Sequence, residues 1–337
     1  MKLRSHTTLS LRPAHARMPR ASTCGFRQDC TRNYTAADIE ASASLWDPSS
    51  ADMWRLRRLR AAAQEACSHS HVALEASTLV GNGSGTMATG GWCLALRQPN
   101  QTTIDPHSMV NLPGGHSYYL PAPHVAADST IVDFLATTLH TCQDPPACRQ
   151  NSFLSVNDFG AGVGQYGHAL LGRDPGYRWL GYDNAGNVEA VTDGFVAFFD
   201  LTTPLSLPRA DWVMSLEVGE HVPPEHERML IRNLHAHNCR GILLSWAHLG
   251  KWGVGHVNNH RNEYLIALMD ELGYAHNAKR TAMLRMHRGR KSIDARNISR
   301  PWFWFMYSVF VFERRQPLAL PGCSAAPTSS AILNPIV

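Results

Sequence analysis

A doubly wound α/β sheet is the fold class this sequence predicts, and three observations predict it. A short apolar run beginning at Ser152 ends in an acid, Asp158, and breaks into Gly160, Gly162, Gly164 and Gly167 before a helix-like segment. Four more apolar runs follow at regular spacing: Trp179 to Asp183, Phe195 to Asp200, Ala210 to Glu217, and Gly241 to Ala247. Helical stripes flank or separate them, at 130–141 and 262–272. Strand, glycine turn, helix is how such a sheet offers a crevice at the carboxyl end of its first strand.

The elements follow in chain order. Residues 1–28 hold six Lys/Arg and no acid, with Ser and Thr among them. That composition fits an organelle transit segment or a basic tail, and it lacks the apolar core of a secretory signal. Residues 29–128 form an N-terminal extension. Within it, 52–66 reads as a helix that packs Trp54 and a leucine and turns its arginines to solvent. Residues 80–91 read as loop, 92–96 as a short strand, and 111–125, with its glycines and prolines, as irregular. His116, Tyr118, Tyr119 and His124 in that stretch are candidates for a substrate wall.

Asp128 or Ser129 caps the helix that opens the main domain, 129–313, with Ile131, Phe134, Leu135 and Leu139 on one face. Pro223 and Pro224 open the helix after the fourth strand, where a missing N–H costs little. Leu265, Ile266, Leu268, Met269 and Leu272 stripe the next helix, which Gly273 ends. Residues 279–300 carry eight Lys/Arg against the single acid Asp294 and read as a solvated helix rather than a nucleic-acid patch. From Arg314 to the end, Pro, Ser and Ala predict a disordered tail.

Net charge is +4, with 44% hydrophobic and 17% charged residues, an ordinary globular composition. No stretch reaches the 18 or so apolar residues of a spanning helix. Eight cysteines are scattered without zinc spacing. Cys142 and Cys148 flank a Pro-Pro turn that a bridge can close, but the expectation is reduced thiols in a cytoplasmic or organellar protein. The sequons at Asn33, Asn82, Asn100 and Asn297 do not by themselves argue secretion.

The acids decide what the crevice holds. A dinucleotide sets a pyrophosphate over the glycine turn, yet Asp158, Glu217 and Glu220 crowd that place. A like-charge contact at ~4 Å costs about 4 kcal/mol at an effective dielectric of ~20. The same carboxylates favour a cationic adenosyl ligand. S-adenosyl-L-methionine has a sulfonium, an ammonium and a ribose, and no phosphate.

Asp158 to Gly167, Gly181 to Asn184, Phe199 to Leu201 and Ser215 to His221 resemble the successive motifs of class I S-adenosylmethionine-dependent methyltransferases, over roughly 129–313. Glu217 stands where many members carry Asp or Asn. The resemblance implies a Rossmann-like sheet of seven strands, the last antiparallel and supplied here by the aromatic run 302–313. It implies a cofactor site of Asp158, Gly160, Gly162, Gly164, Tyr166, Gly167, Asp183, Asn184, Asp200 and Leu201. Asp158 would balance the ammonium, Asp183 accept from the ribose, and Asp200 with the Leu201 backbone meet adenine.

Methyl transfer needs alignment, exclusion of water and at most a base. Glu217 and His221 after the fourth strand, and His256 or His260 after the fifth, are the candidates. The acceptor, a small molecule or a protein, is not named by the residues. No metal site is expected, neither at His256-x-x-x-His260 nor at His235, His237 and Cys239. Two alternatives stay open: an NAD(P)-dependent oxidoreductase, motivated by Gly162-x-Gly164-x-x-Gly167 and the acid 21 residues after Gly162, and a cofactor-binding member without catalysis.

Overall fold

A computed structural model describes residues 32–44, 50–69, 95–96, 109–111, 117–119, 127–139, 155–204, 207–253, 255–290, 304–318 and 323. The expectations for 1–28, for the Cys142–Cys148 turn, for His116 and His124, and for nearly all of the C-terminal tail lie outside those residues.

Seven strands form the main sheet: β1 (Ser155–Phe159), β2 (Arg178–Asp183), β3 (Val196–Phe198), β4 (Ala210–Ser215), β5 (Asn238–Ser245), β6 (Tyr274–His276) and β7 (Val309–Arg314). Their order is β3-β2-β1-β4-β5-β7-β6. The pairs among β1 to β5 are parallel, and β7 runs antiparallel to both neighbours, with Phe310 opposite Leu244 and Phe312 opposite both Ile242 and His276. The apolar runs are near-continuous because helices cover both faces of the sheet.

Alternation along β7 shows the two faces: Val309 and Val311 join one apolar cluster, Phe310 and Phe312 the other. The first cluster takes Ile131, Val132 and Leu135 from α3 (Ser129–Leu139), Leu170 from α4 (Gln165–Arg173) and Leu284 from α8 (Ala278–Arg290). The second takes Leu230, Ile231 and Leu234 from α6 (Glu227–Ala236) and Leu265, Leu268 and Met269 from α7 (Asn262–Glu271). Asp128 Oδ1 accepts the Thr130 and Ile131 N–H groups at 2.8 and 3.1 Å, the cap expected of α3, worth about 1 kcal/mol.

The extension docks on the second face. Helix α1 (Ala36–Ser44) starts with a reciprocal cap, Asp38 accepting the Thr35 N–H at 2.7 Å and Thr35 Oγ1 accepting the Asp38 N–H at 3.2 Å. Ile39 is fully buried in the second cluster, Glu40 reaches His235 at 3.0 Å, and Arg32 reaches Glu271 at 2.7 Å.

Five expectations change. Helix α2 (Ser50–His69) exceeds its expected span, and Trp54 is 60% exposed under the Arg58 guanidinium rather than packed. Ser117–Tyr119, inside the stretch expected to be irregular, is the middle strand of a small sheet with Ala95–Leu96 and Met109–Asn111. The aromatic run before β7 opens as a helical turn, α9 (Phe305–Ser308), so the strand proper starts at Val309. Cys239 and Cys323 form a disulfide with their Cα atoms 5.7 Å apart, tying the tail to β5 instead of leaving reduced thiols. The basic helix α8 is anchored as well as solvated: Arg280 pairs with Glu313 at 2.6 Å, and Arg285 donates to the Val309 carbonyl at 3.0 Å. Among the described residues no helix is long and apolar enough to cross a membrane.

Candidate functional site

The site lies at the carboxyl ends of β1, β2 and β4, where the chain reverses its direction of winding across the sheet. After β1 the backbone turns through Gly160, Gly162 and Gly164, all at positive φ (82°, 57° and 78°). A Cβ at Gly160 would lie inside the Val218 side chain, so that glycine lets the β4 loop close over the turn. At Gly162 an added Cβ would make only ordinary contact with the Gln165 side chain, at 3.6 Å, so the positive φ is what favours glycine there. A Cβ at Gly167 would strike the Trp179 ring, so that glycine sets how closely α4 packs on β2.

Asp183 holds the turn. Its Oδ2 accepts the Gly162 N–H at 2.9 Å and its Oδ1 the Ala185 N–H at 2.8 Å. Burial nevertheless raises its pKa against those bonds. Asn184 beside it is half-buried. Asp158 is only 2% exposed, and its Oδ2 has no hydrogen-bond partner. Burial pushes its pKa up to about 8, the Trp179 indole N–H opposing this and the Asp183 charge adding to it. Tyr166 is a core residue whose hydroxyl accepts the Asp128 N–H at 3.4 Å.

Asp200 is buried, and its Oδ1 accepts the Thr202 N–H and hydroxyl at 2.9 and 2.7 Å, fixing the turn after β3. Leu201 is buried, and its carbonyl accepts from Asn233 at 2.9 Å.

The loop after β4 forms the other wall. Glu217 adopts φ 56°, a left-handed conformation that costs a non-glycine residue about 1–3 kcal/mol. Its N–H donates to Ser245 Oγ at 2.7 Å, and its Oε1 accepts from Ser308 Oγ at 2.9 Å. Glu220, three residues on, is fully buried, and neither carboxyl oxygen meets a donor in hydrogen-bonding geometry. Burial, and then the Glu217 charge, raise its pKa well above the usual carboxylate range. The rings of His221 and His256 meet edge to face with centroids 5.0 Å apart. His221 Nδ1 faces the Gly255 carbonyl and His256 Nδ1 the Lys251 carbonyl, each at 3.3 Å. Burial lowers the His256 pKa, the Lys251 bond opposing it.

His260 does not join them. Its Nε2 lies 2.6 Å from Glu227 Oε2, and its ring stacks on Tyr264. Glu227 is buried and also accepts from Tyr34 at 2.6 Å, Asn258 at 2.9 Å and Tyr264. A metal pair at His256 and His260 is thus broken up, as is one at His235, His237 and Cys239: His235 faces Glu40, His237 bridges Leu207 and Asn233, and Cys239 is in the disulfide. Two residues of the mouth carried little signal in the sequence. Glu220 was expected only as one of the acids at the crevice, and its full burial is new, while Trp252, 75% exposed beside Lys251, has no pattern around it.

Strand order and the reversed β7 together settle the architecture. This is the seven-stranded sheet with a reversed last strand that the resemblance to class I methyltransferases implied. No family model matches the chain, and no curated protein sequence does. Among solved structures, it is similar to magnesium protoporphyrin IX methyltransferase from Synechocystis PCC 6803 with bound SAM, 19% identical over 55% of this chain and 78% of that one, TM-score 0.36. It is also similar to CalS10, an amino pentose methyltransferase from Micromonospora echinaspora, 13% identical over 55% and 90% of the two chains, TM-score 0.37. An O-methyltransferase family protein from Burkholderia thailandensis is 15% identical over 56% of each chain, TM-score 0.35. At these identities and TM-scores the likenesses carry no argument about what this chain does.

Proposed function

We propose that this chain binds S-adenosylmethionine in the crevice between the glycine turn and the β4 loop and transfers its methyl group to an acceptor at the mouth. The observation that carries the reading is the row of acids at successive strand ends, Asp158, Asp183, Asp200 and Glu217, around a glycine turn at positive φ.

The residues fit that cofactor. Asp158 Oδ2 is a buried acceptor without a donor, which an ammonium close by would satisfy while drawing the carboxyl back to its ionised form. Asp183 spends one lone pair of each oxygen on backbone N–H groups and keeps the others for ribose hydroxyls. Asp200 and Leu201 border the adenine end. Tyr166 and Gly167 act one step back, by fixing α4 against α3 and β2.

When bound, the cofactor supplies an activated methyl group for in-line displacement. The chain's own residues orient the acceptor, exclude water and receive its proton. Glu217, His221 and His256 line the acceptor end and are the groups able to take it. A dinucleotide is disfavoured because its pyrophosphate would meet Asp158 and the β4 acids, and because the sheet ends in a reversed strand. Calorimetric titration of the full chain with S-adenosylhomocysteine, NAD and NADP tests the reading. Binding of S-adenosylhomocysteine alone is expected, and binding of a dinucleotide alone would overturn it.

A further inference from the structure

Glu220, His221 and His256 each place one ligand-type atom so that all three lie within 4.8 Å of one another. The Glu220 carboxyl is fully buried within this group, and neither oxygen meets a donor in hydrogen-bonding geometry, although the Glu220 and Ala247 backbone N–H groups favour its charged form. A buried carboxylate without a donor is a costly arrangement, and proteins keep it where a cation completes it. The two histidines are turned to match. A carbonyl oxygen can only accept, so Nδ1 of each ring carries the proton, toward Gly255 and Lys251, and the lone pair falls on Nε2. A backbone carbonyl on the far nitrogen is the support that orients metal-binding imidazoles. The loops are also built for it: a Cβ at Gly253 would lie on the His256 ring, so that glycine makes room for it.

We propose that Glu220, His221 and His256 bind one divalent transition-metal ion at the acceptor end of the crevice. Two imidazoles and a carboxylate suit Mn²⁺, Fe²⁺, Co²⁺ or Zn²⁺ better than Mg²⁺ or Ca²⁺, which favour all-oxygen shells. Three protein ligands leave coordination positions for an oxygen of the substrate. The proposal therefore rests on the methyltransferase reading for its purpose, and it narrows the acceptor to an oxygen nucleophile. A cation there lowers the pKa of an acceptor hydroxyl. The methyl group then passes from sulfur to that oxygen, the C–S electron pair stays on sulfur, and the hydroxyl proton leaves to water.

The test is metal binding by the full, disulfide-intact chain. After dialysis against a chelator, titration with Co²⁺ followed by its visible absorption, and with Mn²⁺ by calorimetry, is expected to give one ion per chain. His221→Ala and His256→Ala should each weaken binding by at least about tenfold, whereas His226→Ala, outside the cluster, should not change it. Glu220→Gln keeps the shape of the side chain, so it should abolish tight binding while leaving the metal-free thermal midpoint unchanged or higher. S-adenosylhomocysteine affinity and circular dichroism, measured on every variant, show which variants fold. Absence of Co²⁺ and Mn²⁺ binding in the parent chain, or binding that folded His221 and His256 variants retain, overturns the proposal. Binding of S-adenosylhomocysteine without metal would sink the metal site alone. Binding of metal without S-adenosylhomocysteine would sink the methyltransferase reading and leave the site standing.

Discussion

At the glycine end of the crevice, Asp183 and Asp200 are held by hydrogen bonds from the loops they organise. At the mouth, Glu220 is buried beside a second carboxylate and neither of its oxygens meets a donor in hydrogen-bonding geometry, on a loop whose neighbour Glu217 is in a left-handed conformation. The same residue type is thus spent on shape at one end and kept uncompensated at the other. A satisfied acid can be explained by folding alone, whereas an uncompensated one calls for a partner from outside the chain. Asp158 stands between the two, at the glycine end but with one oxygen unpartnered.

The contrast is broken most directly at Asp183. Asp183→Ala leaves the Gly162 and Ala185 N–H groups without their acceptor and loosens the turn. We expect S-adenosylhomocysteine affinity to fall by about 100-fold, about 3 kcal/mol for two charge-assisted bonds. Glu217→Gln, at the other end, should change it by less than about threefold. Equal losses in the two variants, measured by calorimetry, would erase the distinction between a shaping end and a reacting end.

The mouth has its own shaping acid in Glu227, and this sharpens the comparison. Glu227 collects Tyr34, Tyr264, Asn258 and His260, so it fastens the extension and the β5 loop to α6. Burial opposes its charge, but those donors outweigh it and lower its pKa. Glu227→Gln should cost about 2–4 kcal/mol in urea unfolding, and Tyr34→Phe about 1 kcal/mol. The sign for pH follows: a depressed carboxylate stabilises above its unfolded pKa, and that contribution is lost as acid protonates it. The Glu227→Gln variant should lose less stability than the parent chain between pH 5 and pH 3, both taken as about.

Asp158 gives the next effect, with the opposite sign. Its carboxyl stays protonated in the fold up to about 8 and ionises near 4 in the unfolded chain, about the ordinary value. Between those values the fold binds the extra proton, so stability falls as pH rises. Asp158→Asn removes the titration, and its stability should exceed that of the parent chain by on the order of 5 kcal/mol near pH 8, converging toward about pH 4. Saturating S-adenosylmethionine should erase the gap if its ammonium sits on that oxygen. Parallel stability curves for the two proteins would show that Asp158 is already ionised.

The sheet was legible because each strand is short, apolar and ends in a polar residue, and the glycine turn and acids marked its edge. The start of α1 carries a local signal in Thr35-x-x-Asp38, but no helix was expected there. What stayed hidden depends on contacts far apart in the chain. Cys239 and Cys323 are 84 residues apart, so spacing gave no hint of their bridge. His256 and His260, four apart, suggested a shared face, yet Glu227 takes one and His221 meets the other. The aromatic run before β7 read as one long strand because helical turn and strand bury the same residue types there. Burial, which singles out Glu220, is a property of the folded surroundings and has no local code.

The smallest effect on stability falls at Trp252, the most exposed large apolar side chain at the mouth, 75% accessible next to the Lys251–Tyr307 pair. A side chain that buries so little contributes little to folding, so Trp252→Ala should shift unfolding by less than about 0.5 kcal/mol. S-adenosylhomocysteine affinity should not move either, because the residue stands on the β5 loop and not on the glycine turn. An acceptor docking at the mouth, by contrast, would cover this ring, and desolvating an aromatic of that size is worth about 2 kcal/mol. Trp252→Ala should then raise KM for any acceptor found by screening more than it lowers kcat, and Trp252→Phe should restore most of the loss. A stability loss above about 1.5 kcal/mol would instead mean that the ring packs down in solution, and the mouth would be narrower than drawn.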